Sequence, residues 1–163
     1  MKAHAGWPAP VAALLLAAWL GAALYFTVVV TRAAFAVLPT RTLAGALVGQ
    51  TLPVLFNSGM LIGAFLVVSA LLSPNGVART ASLAGGIAIV ALAAVARFVI
   101  LARIARLRLV MPAAIDSLPI GDPSRRAFGQ LHALSVGALG VAMLTGIVVV
   151  VVLAHTLSAT ANE

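Results

Sequence analysis

The chain has 163 residues, of which 63% are hydrophobic and 8% charged, with a formal net charge of +7 and no cysteine. Soluble domains average about 45 to 50% apolar and about 25% charged residues, so this composition excludes a water-soluble protein and indicates an all-α integral membrane protein. The lack of cysteine excludes disulfides and thiolate metal sites. Because the basic residues stand mostly at the ends of apolar segments, nucleic acid is not an expected partner.

The first half of the chain contains two apolar segments, each long enough to cross a bilayer. The first predicts a helix over residues 9–31, and its apolar run of about 20 residues indicates an uncleaved span rather than a signal peptide. Thr40 is placed as the N-cap of a second helix over residues 41–72. Pro53 removes one backbone donor, so a kink is expected near it.

Two further helices complete a predicted four-helix transmembrane bundle with short loops, folded as a single membrane domain over residues 1–163. Ser73, Pro74, Asn75 and Gly76 form a tight turn by residue type, and a third helix is expected over residues 81–108. Asp122 as N-cap with Pro123 at the first helical position starts a fourth helix over residues 124–155.

The distribution of basic residues predicts the orientation of the bundle. Four spans place both termini on one side of the membrane. That side holds Lys2 and Arg79, and the other holds Arg32, Arg41, Arg103, Arg106, Arg108, Arg125 and Arg126. Since lysine and arginine accumulate on the cytoplasmic side, both termini are expected on the non-cytoplasmic side of a bacterial inner membrane.

Polar side chains from all four predicted helices fall at a similar depth, about 7 to 10 Å into the inner leaflet by helical rise. The members of this predicted polar layer are Tyr25, Thr27, Asn57, Arg97, His132 and Ser135. No carboxylate lies in any span, so the expected partners of the Arg97 guanidinium are Asn57, Ser135 and backbone carbonyls.

Each member of the layer also has an ordinary interpretation. The Arg97 side chain is long enough to snorkel to the headgroups, His132 and Asn57 fit interhelical packing, and Tyr25 suits the membrane interface. His132 and His155 are 23 residues apart on one helix, about 34 Å, so no shared metal site is predicted. A single axial histidine would still suffice for haem or a chlorophyll-type pigment.

Three segments carry a resemblance to a known family: WLGAALYF at residues 19–26, FAVLP at residues 35–39 and FGQLHALS at residues 128–135. They resemble the transmembrane protein 205-like family, a domain of unknown function. The resemblance implies a four-helix membrane bundle in which His132 and Ser135 match the family's pattern. Such proteins are also distantly similar to copper-resistance membrane domains and to a haem-containing protoporphyrinogen oxidase.

Three functional hypotheses follow, and no set of catalytic residues is found, so a non-enzyme is favoured over an enzyme. The leading one is an accessory or scaffolding subunit that packs against other membrane proteins or a second copy through glycine and alanine faces. The second is a tetrapyrrole or redox-cofactor protein that uses His132. The third is binding of an anion or an anionic membrane lipid at Arg97.

Overall fold

The computed structural model describes residues 8–111, 115–119 and 121–161, and every regular element within these ranges is helical. Helix α1 runs without a break through Pro8–Tyr25, a π-helical turn at Phe26–Val30, and Thr31–Val37. Helix α2 is Arg41–Leu71. Helix α3 is Val77–Ala94, a π-helical turn at Val95–Ile100, and Leu101–Val110. A short 3-10 turn at Ile115–Ser117 precedes helix α4, Pro123–Ala161.

Both predicted N-caps are confirmed. The Thr40 hydroxyl accepts a hydrogen bond of 3.2 Å from the amide of Leu43 at the start of α2. The Asp122 carboxylate accepts one of 2.7 Å from the amide of Ser124 and one of 3.3 Å from that of Arg125. Each side chain satisfies donors that the first turn of a helix leaves unpaired, which fixes where α2 and α4 begin.

The helices extend beyond several of their expected ends. Helix α1 continues past residue 31 to Val37, α3 begins at Val77 rather than residue 81, and α4 continues past residue 155 to Ala161. Apolar length predicts the part that fits in hydrocarbon, whereas backbone hydrogen bonding carries a helix on into the interface. Helix α2 also stays continuous through Pro53.

All four helices are long and apolar enough to cross a membrane. Their outward faces carry large apolar side chains, among them Leu14 at 71% exposed, Leu61 at 73% and Leu144 at 65%. Such surfaces are stable against lipid rather than water. The protein is therefore a membrane-spanning, all-α protein with four spans in its described part.

Adjacent helices pack in the cyclic order α1, α2, α3, α4, and the closest approach joins α2 to α3. A Cβ added to Gly63 would lie 2.9 Å from the carbonyl oxygen of Gly86, so the two backbones touch. One turn away, a Cβ on Gly59 would lie 2.9 Å from Cζ2 of Trp19, whose ring therefore packs flat on α2. The segment GMLIG, residues 59–63, thus forms a packing face of α2, as two glycines four residues apart predict.

At the opposite end the bundle divides into two helix pairs. Residues 31–37 of α1 stay against α2, and residues 95–110 of α3 stay against α4, but the two pairs make few backbone contacts with each other. We call the space between residues 31–53 of the first pair and residues 97–135 of the second the fork. It lies at the end of the bundle that carries most of the arginines.

Candidate functional site: a basic cavity in the fork

The fork contains a cavity of about 920 Å³ that is lined by all four helices and by the α3–α4 connection. Most of its wall is apolar or glycine. The polar side chains at the wall are Thr31, Arg41, Thr42, Arg97, Arg108, His132 and Ser135. The cavity therefore brings three arginines and one histidine to a single space.

Arg97 is the deepest of the three arginines, because it precedes the end of α3 by 13 residues, or roughly 20 Å of helix. Its Nε is buried and has no hydrogen-bond partner. The guanidinium carbon lies 5.4 Å from the centre of the Phe98 ring, on the exposed side of the helix. A guanidinium N–H buried without an acceptor is costly, so a small movement that brings an acceptor to Nε would stabilise this group.

Arg108 crosses the fork and rests on both walls. Its guanidinium carbon lies 5.3 Å from the centre of the Phe128 ring on α4. On the α2 side, a Cβ added to Gly49 would lie 3.5 Å from its Nη1, and one added to Gly45 would lie 3.8 Å from its Nη2. The guanidinium therefore occupies a shallow seat made by two glycines and an aromatic face, with a weak cation–π contact as its attachment.

His132 lies at the edge of the cavity and is exposed. Its ring stacks on Phe128, one helical turn earlier, with centroids 6.1 Å apart and planes within 2° of parallel. Ser135 is 2% exposed and donates its hydroxyl proton to the carbonyl of His132 at 2.8 Å. The hydroxyl oxygen remains available as an acceptor, and the imidazole is open to a ligand at the cavity mouth.

The structure brings Arg97, His132 and Ser135 of the predicted polar layer to one cavity, but not the other three members. Tyr25 is 61% exposed, Thr27 is exposed and donates to the carbonyl of Ala23 at 2.7 Å, and Asn57 is exposed on the outer face of α2. Side chains at the same depth in the membrane can still point in different directions. The inner face of α2 is the one that contacts Trp19 and Gly86, and Asn57 points away from it. Asn57 is thus not a partner of Arg97.

Both π-helical turns border the cavity. The amide of Thr31 bonds to the carbonyl of Phe26 and that of Leu101 to the carbonyl of Ala96, each five residues back. Thr31 and Leu101 line the cavity. Insertions of this kind re-aim the residues that follow them and are frequent at functional sites. No residue pattern announces them, so sequence reasoning missed them.

Sequence reasoning also counted Arg41 and Arg108 only as orientation signals, although both line the cavity. A sequence feature that could have pointed to the role of Arg108 is the pair Gly45 and Gly49. These glycines are four residues apart on one face of α2 and form the seat of the guanidinium. Pro53 also lines the cavity, and it has no amide to donate to the carbonyl of Gly49, four residues earlier in α2.

The charge of the cavity is positive. No carboxylate lines it among the side chains that the structure describes, where Asp122 is held at the N-cap of α4. The side chain of Asp116, next to the cavity residue Ile115, lies outside the described residues. Within the described ranges no three potential ligands come together to hold a metal ion. The donors present suit an anion instead.

A family model matches residues 14–113, which include most of α1 and all of α2 and α3. The chain belongs to the family described as "Domain of unknown function (DUF4149)". The DUF4149 region contains Arg41, Arg97 and Arg108, whereas Phe128, His132 and Ser135 follow it. No curated protein and no solved structure matches the chain. The resemblance to the transmembrane protein 205-like family stays a prediction.

Proposed function

We propose that the protein binds an anionic group inside the membrane, in the cavity of the fork. The observation that carries this proposal is that Arg41, Arg97 and Arg108 line one cavity and that the Nε of Arg97 is buried without a partner. Arginine presents planar paired donors that match phosphate and carboxylate oxygens. In surroundings of low dielectric constant, a charge-assisted bond to such an oxygen is stronger than in water.

The proposal includes a location for the site. The fork end carries Arg32, Arg103, Arg106, Arg125 and Arg126 in addition to the cavity arginines. By the positive-inside bias this end faces the cytoplasm of a bacterial inner membrane, with both termini on the other side. The cavity would then open at the inner leaflet, where anionic headgroups are concentrated.

Inorganic phosphate is the probe that tests anion binding without assuming a particular ligand. The melting temperature of the detergent-purified protein is measured while phosphate replaces chloride at constant ionic strength. A ligand that binds only the folded state at about 100 times its Kd adds about 2.7 kcal/mol of stability. We expect a saturable rise in the wild-type protein that is strongly reduced in Arg97→Gln and Arg108→Gln.

Arg106→Gln is the matched control, because Arg106 is an exposed arginine of α3 that does not line the cavity. The control should respond to phosphate as the wild type does. An equal rise in melting temperature in all four proteins would mean that phosphate acts on the general surface charge, and would contradict the proposal.

An accessory-subunit role is a second candidate function. On α4, added Cβ atoms at Gly129, Gly137 and Gly140 would meet nothing within 4 Å, so this helix presents an uncovered small-residue face. Faces of this type allow close helix approach in membranes. Native mass measurement after gentle extraction tests the role: a strictly monomeric particle without other chains counts against it.

A tetrapyrrole on His132 is the third candidate, since the cavity combines an open imidazole with arginines that could pair with carboxylates. An absorption spectrum of the native preparation decides it. A Soret or pigment band that is lost in His132→Ala supports this candidate, and a featureless spectrum removes it.

A further inference from the structure

We infer that the bound anion is the headgroup of an anionic membrane phospholipid, which enters the fork sideways from the bilayer. This inference rests on the proposed function and adds the identity of the ligand class. It depends on the size of the cavity, the composition of its wall, the direction in which it opens and the depth over which its donors are spread.

The cavity is far larger than an inorganic anion needs. Its volume is about 920 Å³, whereas one water molecule takes up about 30 Å³ in the liquid and a phosphate ion only a few times that. Pockets of roughly 300 to 1,000 Å³ hold whole organic ligands. The wall beyond the arginines consists of side chains such as Leu52, Leu101, Ile104 and Phe128. An acyl chain is the part of an anionic ligand that would pack against such a wall.

The fork opens toward lipid rather than toward water alone. The two helix pairs make few contacts at this end, so backbone does not close the sides of the gap between them. Phe35 lines the cavity and is also 48% exposed, which places it at the rim on the outer surface of the bundle. A lipid can therefore enter by lateral diffusion, without crossing the headgroup layer.

The three cavity arginines lie at different depths in the membrane, as do the phosphate and ester oxygens of a phospholipid. Arg41 begins α2 and Arg108 is near the end of α3, so both stand at the headgroup end. Arg97 precedes Arg108 by 11 residues, about 16 Å along the helix, and its side chain reaches back part of that distance. A phosphate ion that bridges Arg97 and Arg108 depends on this reach, whereas a phospholipid spans both levels without it. A phospholipid offers phosphate oxygens to the outer arginines and ester carbonyls to Arg97.

Binding requires Arg108 to exchange its present contacts. Its guanidinium now rests on Gly45, Gly49 and the Phe128 ring, with no carboxylate among its described neighbours. A lipid phosphate supplies a charge-assisted hydrogen bond in place of a weak cation–π contact. The seat thus keeps the guanidinium at the fork until a headgroup arrives.

The test is native mass spectrometry of the protein equilibrated in detergent with equal amounts of phosphatidylglycerol and phosphatidylcholine. The wild type should retain one phosphatidylglycerol per chain, at least about tenfold in excess over phosphatidylcholine, because the arginines repel the choline cation of the second lipid. Ala46→Leu and Ala102→Leu fill the cavity from opposite walls and keep every arginine of the chain. Each variant should lower the amount of retained phosphatidylglycerol by at least about fivefold, because the filled cavity has no room for an acyl chain.

Gly137→Leu is the matched control, since Gly137 lies on the open outer face of α4 and should leave lipid retention unchanged. Size-exclusion chromatography shows whether each cavity-filling variant is folded. The two substitutions lie on different helices, so one folded variant is enough to test the inference. Unchanged retention in a folded, filled variant, or equal retention of both lipids by the wild type, overturns the inference. If phosphate still stabilises the wild type through Arg97 and Arg108, the proposed function survives that result; if phosphate has no effect either, both fail.

Discussion

Gly86 of α3 lies directly against the backbone of Gly63 of α2: a Cβ on Gly86 would come within 2.7 Å of the Gly63 carbonyl oxygen. This contact closes the bundle at the end opposite the fork. Because the backbones already touch there, the helix pairs can separate only at the other end. The position of the cavity therefore follows from where two glycines meet.

Gly86→Ala should lower the free energy of unfolding by about 1 to 3 kcal/mol, because the new methyl group meets backbone that cannot move aside. Gly140→Ala is the control on α4, where a Cβ has no neighbour within 4 Å, and it should change stability by no more than about 0.5 kcal/mol. Unfolding in mixed micelles of increasing denaturing-detergent content, followed by circular dichroism, measures both. Equal losses in the two variants would contradict the assigned contact.

Two substitutions of Trp19 should separate its hydrogen bond from its packing. The indole donates to the carbonyl of Leu55 at 3.1 Å, but that oxygen also accepts from the Ser58 hydroxyl at 3.0 Å and so keeps a partner without it. Trp19→Phe loses this bond and only part of the contact with Gly59, so it should cost about 1 to 2 kcal/mol. Trp19→Ala also empties the space above Gly59 and should cost about 3 to 5 kcal/mol in the same unfolding assay. A larger loss for Phe than for Ala would reverse this ranking.

Removal of the N-cap of α4 should destabilise the protein without affecting its core. Asp122→Ala leaves the amides of Ser124 and Arg125 without their acceptor, and we expect a loss of about 1 kcal/mol. Asp122→Asn keeps an acceptor oxygen and should stay within a few tenths of the wild type. If both variants lose the same amount, the effect comes from the charge of Asp122 rather than from capping.

Cysteine labelling tests the orientation, because the chain has no cysteine of its own. Gly76, between α2 and α3, and Gly121, between α3 and α4, are exposed positions where an added Cβ meets nothing. In intact bacterial cells with a permeable outer envelope, a membrane-impermeant maleimide should modify Gly76→Cys and should reach Gly121→Cys only after the inner membrane is opened. The reverse result would place the fork in the outer leaflet.

Local chemistry allowed much of the fold to be predicted from sequence. The caps at Thr40 and Asp122 depend on a few adjacent residues, and the four spans depend on sustained apolar runs, so both could be read along the chain. Helix α4 runs past its expected end, because hydropathy marks the hydrocarbon boundary and not the last backbone hydrogen bond.

The site was harder to predict because it depends on which helices touch. The helices are apolar almost all round, so the sequence does not show which face of α2 turns inward, and Asn57 was assigned to the wrong side. The π-helical turns shift the phase of α1 and α3 in mid-helix. Arg108 could be assigned to the cavity only after the glycine face of α2 and the ring of Phe128 were seen to flank it.

The most direct measurement is a crystal structure grown from a lipid phase that contains phosphatidylglycerol with brominated acyl chains. We predict anomalous bromine signal inside the fork, between the pair α1 and α2 and the pair α3 and α4. The phosphate should lie within hydrogen-bonding distance, about 3 Å, of the Arg108 guanidinium. Bromine confined to the outer surface of the bundle, with the fork occupied by water or closed by its own side chains, would contradict the account.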